Sequence, residues 1–173
     1  MAIIDVLFFL YLLIAAFTDL KFGKVYNFLT IPAIILGIGL NFFYSGPAGL
    51  KVSVIGFLVG FFILFIFFMG GGVGPGDVKF LAGAGALMGW QLALLGTLYG
   101  AIIAGMYSLI YIIWKKKFKD TCLRIGIFFR TVFYFREFPT TDMIGKGTSV
   151  PYVFFLSLGL ALRWLEVGTF LRY

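Results

Sequence analysis

The chain has 173 residues, of which 62% are hydrophobic and 12% are charged, and it carries a net charge of +7. Soluble domains are about half apolar and about one quarter charged, so this composition indicates a membrane protein built as a single domain over residues 1–173. The sequence has no histidine and one cysteine, Cys122, which excludes histidine zinc sites, histidine-dependent triads and internal disulfides.

Six apolar runs along the chain predict an all-α fold of six transmembrane helices, since a helix that crosses a bilayer needs roughly 17–25 mainly apolar residues. The first run has neither a basic n-region nor a small-residue cleavage site, so we interpret it as a retained span rather than a signal peptide. The fourth run is short and rich in small residues, and we expect it to be packed inside the bundle. The predicted spans are about 2–18, 26–44, 52–69, 78–90, 92–114 and 148–165.

Glycine and proline mark the predicted connections between spans. The second span ends in S-G-P-A-G, residues 45–49, and the third ends at the glycine-rich stretch G-G-G-V-G-P-G-D-V-K, residues 70–79. Small residues also recur at four-residue spacing within the later spans. This pattern favours close packing of helices, although glycine is common in membrane helices generally. The residues concerned are Gly56 and Gly60, Gly85 and Gly89, and Gly96, Gly100 and Ala104.

A basic and aromatic segment, 115–147, separates the fifth and sixth spans, and we predict that it is a cytoplasmic loop. Within it, 125–138 is predicted to be an interfacial helix on an anionic leaflet, because basic residues are interspersed with aromatic ones. A role in docking substrate is the alternative for this segment. The arginines at six-residue spacing are Arg124, Arg130 and Arg136.

The distribution of lysine and arginine predicts how the bundle is oriented. Eleven of the 14 basic residues fall on one side of the six predicted spans, and Lys51, Arg163 and Arg172 fall on the other. Because basic loops tend to remain in the cytoplasm, we predict that the N-terminus is outside and the long loop inside. The orientation of the protein in the lipid bilayer thus explains its positive charge. We expect the bilayer to be a partner and expect no nucleic-acid partner.

Two of the seven acidic residues, Asp19 and Asp77, lie at the cytoplasmic margins of predicted spans. Acidic residues at membrane depth are costly and tend to mark function. Two complete spans separate the pair, so both carboxylates are expected at similar depth on the same side. Each is followed two residues later by a lysine, Lys21 or Lys79, which we expect to reach the lipid headgroups while the aspartate faces the bundle.

Two close aspartates would share a proton, so that one activates a water molecule while the other protonates the scissile carbonyl or the leaving nitrogen, as in aspartic proteolysis. Gly74 and Gly76 would supply a permissive backbone where the chain bends or a substrate approaches. Structural roles stay open at this point. Asp19 is alternatively a helix-end charge, and Asp77 is alternatively the N-cap of the following helix.

Three segments resemble a known family. G-P-G-D, residues 74–77, resembles the Gly-x-Gly-Asp motif of intramembrane aspartyl proteases, and the next two residues, Val-Lys, are similar to the type IV prepilin peptidase branch, which includes archaeal preflagellin peptidases. D-L-K-F-G-K-V-Y-N, residues 19–27, resembles that branch's Asp-x-[Lys/Arg]-x-x-x-[Ile/Val]-Pro-Asn, with Tyr26 in place of proline. Val150-Pro151-Tyr152 resembles the Pro-Tyr that opens the family's last span, so the resemblance covers nearly the whole chain.

The resemblance implies a membrane aspartyl endopeptidase without metal or cofactor. Its partners would be pilin-like precursors, whose basic leader is removed at the cytoplasmic face of a prokaryotic cell membrane. The family's larger bacterial members carry two CxxC pairs associated with N-methylation, so methyltransferase activity is not expected from a chain that begins at its first span. The implied residues are Asp19 and Asp77 for catalysis, and Gly74, Gly76, Lys21 and Lys79 for the loop and substrate binding.

A small proton-coupled transporter subunit that uses the same two aspartates is the alternative function, since acids at glycine-broken segments also form transporter sites. Such sites usually lie near the bilayer midplane, whereas both aspartates are predicted at one face. This difference favours the peptidase. A structural subunit without chemistry is a further alternative, and it leaves the repeated Asp-x-Lys pattern unexplained.

Overall fold

The computed structural model describes residues 2–70, 72–114 and 151–170. Within these ranges the protein is all-α, as predicted. The predicted loop 115–147, its interfacial helix 125–138 and the first residues of the last predicted span, 148–150, lie outside the described residues. The helices are α1 (Ala2–Phe22), α2 (Asn27–Met69), α3 (Pro75–Met88), α4 (Trp90–Trp114) and α5 (Tyr152–Phe170).

Three of these helices, α1, α2 and α4, are long and apolar enough to cross a membrane by length and composition. Their outer surfaces carry large exposed apolar side chains, such as Leu13, Ile35 and Ile113. Hydrocarbon is a suitable solvent for such a surface, since lipid tails are as apolar as leucine. The protein is therefore an all-α membrane protein, while the number of spans and their orientation stay predictions.

Helix α2 covers two predicted spans and folds back on itself at Gly46. The backbone there has φ 57° and ψ −143°, a conformation that glycine adopts readily. On either side of it, Asn41 Nδ2 and Ser53 Oγ both donate to the carbonyl oxygen of Ala86, at 3.2 and 2.6 Å. A straight helix would separate these two residues by about 18 Å. The turn predicted from S-G-P-A-G is thus confirmed, and Pro47 begins the returning segment.

Helix α3 lies at the centre of the bundle, as predicted for the fourth apolar run. It has 14 residues and is therefore about 21 Å long, less than the roughly 30 Å thickness of a hydrocarbon core. Most of its residues are buried, from Val78 to Leu87. Small residues of α2 let it approach closely: a Cβ atom on Gly56 would overlap the carbonyl oxygen of Gly85, and one on Gly60 that of Leu81.

The small residues of α4 allow the same close approach to α5. A Cβ atom on Gly96 would come within 2.6 Å of the Leu160 side chain, and one on Gly100 within 2.8 Å of the Leu156 Cα atom. The close packing predicted from the four-residue spacing is confirmed at these positions. Gly89 also lies close to α2, since a Cβ atom on it would come within 2.9 Å of the Val52 side chain, and it ends α3 with a positive φ of 84°.

Helix α1 runs antiparallel to α5 and is bound to it at both ends. The Trp164 indole Nε1 donates to Asp5 Oδ1 at 2.9 Å at one end. At the other end the backbone N–H of Phe154 donates to Asp19 Oδ2 at 3.2 Å. Helix α1 also contacts α3, where the buried Tyr11 hydroxyl donates to the Phe80 carbonyl oxygen at 2.9 Å. These contacts bring the end of α1 and the beginnings of α3 and α5 together.

Candidate active site

Asp19 and Asp77 line one cavity of about 570 Å³ at the end of the bundle where α1 finishes and α3 and α5 begin. The rest of its wall comes from three segments: the connection from Gly23 to Asn27, the glycine loop at 74–76, and Tyr152 of α5. The two aspartates predicted to meet are therefore brought to the same space from distant parts of the sequence. Their catalytic role stays a prediction at this point.

Asp19 lies in the last turn of α1 and is buried, with 8% of its surface exposed. Its Oδ2 atom accepts the hydrogen bond from the Phe154 N–H, in the first turn of α5. Directly after it, Gly23 ends the helix in a left-handed conformation, φ 60°, and its N–H donates to the Asp19 carbonyl oxygen at 2.8 Å. This glycine turns the chain toward the cavity. Asp19 does lie at a helix end, as the structural alternative predicted, but its carboxylate is bound by α5.

Asp77 is the third residue of α3, and Gly74, not Asp77, occupies the N-cap position. The Asp77 carboxylate reaches back, so that its Oδ2 atom accepts from the Gly74 N–H at 3.0 Å, while the Asp77 N–H donates to the Gly74 carbonyl oxygen at 3.2 Å. This is the carboxylate half of a capping box, with Pro75 at the first helical position where proline is favoured. The alternative that Asp77 is the N-cap residue is therefore wrong, because the N-cap position lies three residues earlier, at Gly74.

The environment of Asp77 favours its protonated form. Burial raises the pKa of this carboxyl, the hydrogen bond from Gly74 opposes the shift and the negative charge of Asp19 adds to it, so that the pKa lies at about 6. Asp77 precedes the predicted span 78–90, at the edge of the apolar part of α3. A carboxyl group with this pKa can hold a proton in mildly acidic solution and release it near neutrality, which is what a general acid requires.

Comparison with known proteins adds the decisive observation. The sequence profile of the type IV leader peptidase family matches residues 6–109, a range that contains both aspartates. The chain belongs to this family.

A curated relative, the preflagellin peptidase of Methanocaldococcus jannaschii, is 33% identical over 128 residues. The match covers 70% of this chain and 54% of the relative, so the chain spans about half the length of the protein that it resembles. No solved structure matches the sequence. The resemblance noted in the sequence is confirmed at the level of the family.

The two glycines of the family motif are not required by the backbone conformation seen here. Gly74 has φ −79° and ψ 156°, which any residue can adopt, and Gly76 lies within α3. A Cβ atom would meet Asp77 Oδ2 at 3.5 Å from Gly74, and Val25 atoms at 3.5 Å from Gly76, both ordinary contacts. The predicted role of these glycines, to let the loop move or let a substrate backbone approach, stays a prediction.

The two lysines of the Asp-x-Lys pairs have different surroundings. Lys79 Nζ donates to Asn27 Oδ1 at 2.9 Å, so the N-terminal part of α3 is bound to the first residue of α2. Lys21 Nζ lies over the rings of Phe17 and Phe22, with distances of 5.7 and 5.3 Å to their centroids. Lys79 thus makes a contact within the protein. The predicted contact of Lys21 with lipid headgroups stays a prediction.

Sequence reasoning gave no site role to several contributors to this site. Five of them belong to the motif that starts at Asp19, and the other two are Pro75 and the backbone N–H of Phe154. The five are Gly23, Lys24, Val25, Tyr26 and Asn27. A glycine five residues after the end of an apolar run is a helix-termination signal that could have identified Gly23. Tyr152 was noted for its family resemblance, and the structure adds that it forms part of the cavity wall.

Proposed function

We propose that this protein is a membrane aspartyl endopeptidase that removes the basic leader peptide from type IV pilin-like precursors, either prepilins or preflagellins. The observation that carries the proposal is the cavity that Asp19 and Asp77 line together. Membership of the type IV leader peptidase family and the similarity to a preflagellin peptidase support the same reaction. The site would face the cytoplasm, in a six-span protein of a prokaryotic cell membrane.

In the reaction that we infer, Asp19 begins as a carboxylate and Asp77 carries the shared proton. Asp19 removes a proton from a water molecule as the water oxygen bonds to the scissile carbonyl carbon, and Asp77 protonates the carbonyl oxygen. This step gives a neutral diol. The proton on Asp19 then passes to the leaving nitrogen, Asp77 recovers its proton from a diol hydroxyl, and the carbon–nitrogen bond breaks. Both carboxyl groups return to their starting states.

The different surroundings of the two aspartates support this division of roles. Burial disfavours a charge on either carboxyl group, and at Asp19 the backbone N–H groups of Phe154 and Val153 offset part of this cost. The raised pKa of Asp77 favours the protonated form in the other position. Because the two groups interact, the pair rather than either residue would determine the observed pH dependence.

The test is cleavage of a purified pilin-type precursor by the detergent-solubilised protein. Asp19→Asn and Asp77→Asn are each expected to reduce the cleavage rate by at least about a thousandfold, since each removes a group that transfers protons in the reaction. Asp5→Asn is the matched control, because Asp5 lies on the same helix as Asp19 but binds Trp164 at the opposite end. It is expected to leave cleavage unchanged.

Full cleavage by either active-site variant would contradict the two-aspartate mechanism. Proton-coupled uptake by liposomes containing the protein, lost in the same two variants and accompanied by no cleavage, would support the transporter instead. Both assays use the same purified protein, so their outcomes can be compared directly.

A further inference from the structure

The carboxylate of Asp19 is in an unfavourable position with respect to its own helix. It lies in the last turn of α1, where the exposed carbonyl groups give the helix end a partial negative charge. Asp77 is in the opposite situation, because it lies in the first turn of α3, where the free N–H groups favour an anion. Asp19 therefore needs a stabilising partner from elsewhere in the fold.

That partner is the first turn of α5. Phe154 is the third residue of this helix, and the first four N–H groups of a helix have no acceptor within it. The Phe154 N–H donates to Asp19 Oδ2 at 3.2 Å. The Val153 N–H in the same turn also acts on Asp19. This turn thus satisfies free donors of α5 and brings the positive end of the α5 dipole to the buried carboxylate.

Other charged and titratable groups surround this contact but do not replace it. Within the described residues Asp19 makes no ion pair, and the salt bridge seen there joins Arg163 to Glu166 at the far end of α5. Lys79 is bound to Asn27, and Lys21 lies over aromatic rings. The groups that share the cavity with Asp19 are Lys24 and Tyr26 from the α1–α2 connection, Asp77 from α3, and Tyr152 from α5.

We propose that the backbone N–H of Phe154 is a positioning group of the active site, which fixes the direction of the Asp19 carboxylate and favours its ionised form. The inference rests on the proposed peptidase function for its catalytic meaning, but the contact itself does not. Helix α5 then has a defined task in a site whose acidic residues both come from other helices. It supplies the donor that allows an aspartate at the end of α1 to act as a base.

The contact can be tested without any substrate. Phe133 and Phe154 are the two phenylalanines that follow a valine in the sequence, so labelling with carbonyl-¹³C valine and ¹⁵N phenylalanine isolates their amide signals in an NMR spectrum. The Phe154 amide signal is expected to shift with pH as Asp19 gains its proton. In Asp19→Asn this titration should vanish, whereas in Asp77→Asn it should persist with a changed midpoint.

The catalytic consequence is tested by the pH dependence of kcat/KM in two variants that both lack the phenyl ring. Phe154→Pro removes the N–H at a first-turn position where the fixed φ of proline is compatible with a helix, and Phe154→Ala keeps the N–H. Loss of a hydrogen bond to a charged group should move the acidic limb of the Phe154→Pro profile upward by about one pH unit relative to Phe154→Ala. If Phe154 served only in packing, the two variants could differ in the maximum value of kcat/KM, but the acidic limbs of their profiles would coincide.

The proposal is overturned if the Phe154 amide signal is independent of pH, or if it titrates equally in Asp19→Asn. Coincident acidic limbs in folded Phe154→Pro and Phe154→Ala would also overturn it. If Phe154→Pro does not fold, the NMR titration decides. If the parent protein cleaves no precursor, the proposed function fails while the titration still decides whether α5 holds Asp19.

Discussion

Asp19 and Asp77 stand at opposite kinds of helix end, and this difference sets how each carboxylate holds its charge. Asp19 accepts a hydrogen bond from another helix, through the Phe154 N–H, whereas Asp77 accepts one from its own N-terminal turn, through Gly74. The second interaction opposes the burial and the charge of Asp19 that raise the pKa of Asp77. The Gly74 N–H is therefore a direct way to adjust the proton affinity of one member of the pair.

At this residue we predict a pH effect of substitution. Activity that requires protonated Asp77 should be present below pH 6 and fall as the pH rises through about 6. Gly74→Pro removes the N–H that stabilises the carboxylate, so the pKa of Asp77 should rise and the falling limb of the kcat/KM profile should move to higher pH, by about one unit. The φ of −79° at Gly74 is close to the value that proline requires.

Gly74→Ala is the matched variant for this prediction. It keeps the N–H, and its Cβ atom would meet Asp77 Oδ2 at an ordinary distance of 3.5 Å. The falling limbs of the two variants should therefore differ. Identical limbs would mean that this hydrogen bond does not control the proton on Asp77, and a loss of kcat in Gly74→Ala would support the predicted need for loop movement.

The sequence identified the two acids but not the groups that tune them. Asp19 and Asp77 stand out because a carboxylate next to an apolar run is costly, which is a property of the local sequence. Their hydrogen-bond donors are backbone N–H groups, which every residue except proline carries. A side-chain pattern therefore gives no sign that Phe154, far along the chain, serves Asp19.

At the scale of helices, the contact between α2 and α3 depends on glycines of α2 that face backbone carbonyl groups of α3. Gly56 faces Gly85, and Gly60 faces Leu81, so closely that no Cβ atom fits in the gap. The four-residue spacing predicted which face of each helix carries small residues and packs closely against a neighbour. It could not predict which helix packs against it, because the same spacing occurs in α2, α3 and α4.

We predict that Gly56→Ala lowers the stability of the bundle by about 1–3 kcal/mol, toward the upper end of that range, because the opposing atom is a backbone carbonyl that cannot rotate away. The measurement is the thermal unfolding midpoint in a fixed detergent. Gly39→Ala is the control, since Gly39 lies on the same helix and a Cβ atom there has nothing within 4 Å.

Gly39→Ala should be neutral or stabilising by up to about 1 kcal/mol, because alanine has the higher helix propensity. Equal unfolding midpoints for the two variants would show that the backbones of α2 and α3 can separate without cost, and would contradict the packing described above.

For the molecule as a whole, the path of the chain explains how distant motifs meet. Helix α2 folds back at Gly46, so the chain that leaves the cavity at Asn27 returns to it at the glycine loop. The sequence predicted this return, because two apolar runs separated by a glycine–proline turn must place their outer ends on the same side. It could not predict the size of the cavity or that Tyr152 closes one wall, since those depend on how α5 packs against α1.

The same path makes a prediction about the membrane. If α2 crosses the bilayer twice, Lys24 at the cavity and Lys51 just after the turn lie on opposite sides, and both are exposed. Single cysteines can report this in a Cys122→Ser background, which removes the one natural thiol. A membrane-impermeant maleimide should label Lys51→Cys in intact cells.

The same reagent should label Lys24→Cys, and the natural Cys122 in the parent protein, only after the membrane is permeabilised. Labelling of Lys24→Cys and Lys51→Cys from the same side would contradict two crossings by α2. Labelling of Lys24→Cys but not Lys51→Cys in intact cells would instead reverse the orientation predicted from the basic residues, and would place the Asp19–Asp77 cavity at the outer face.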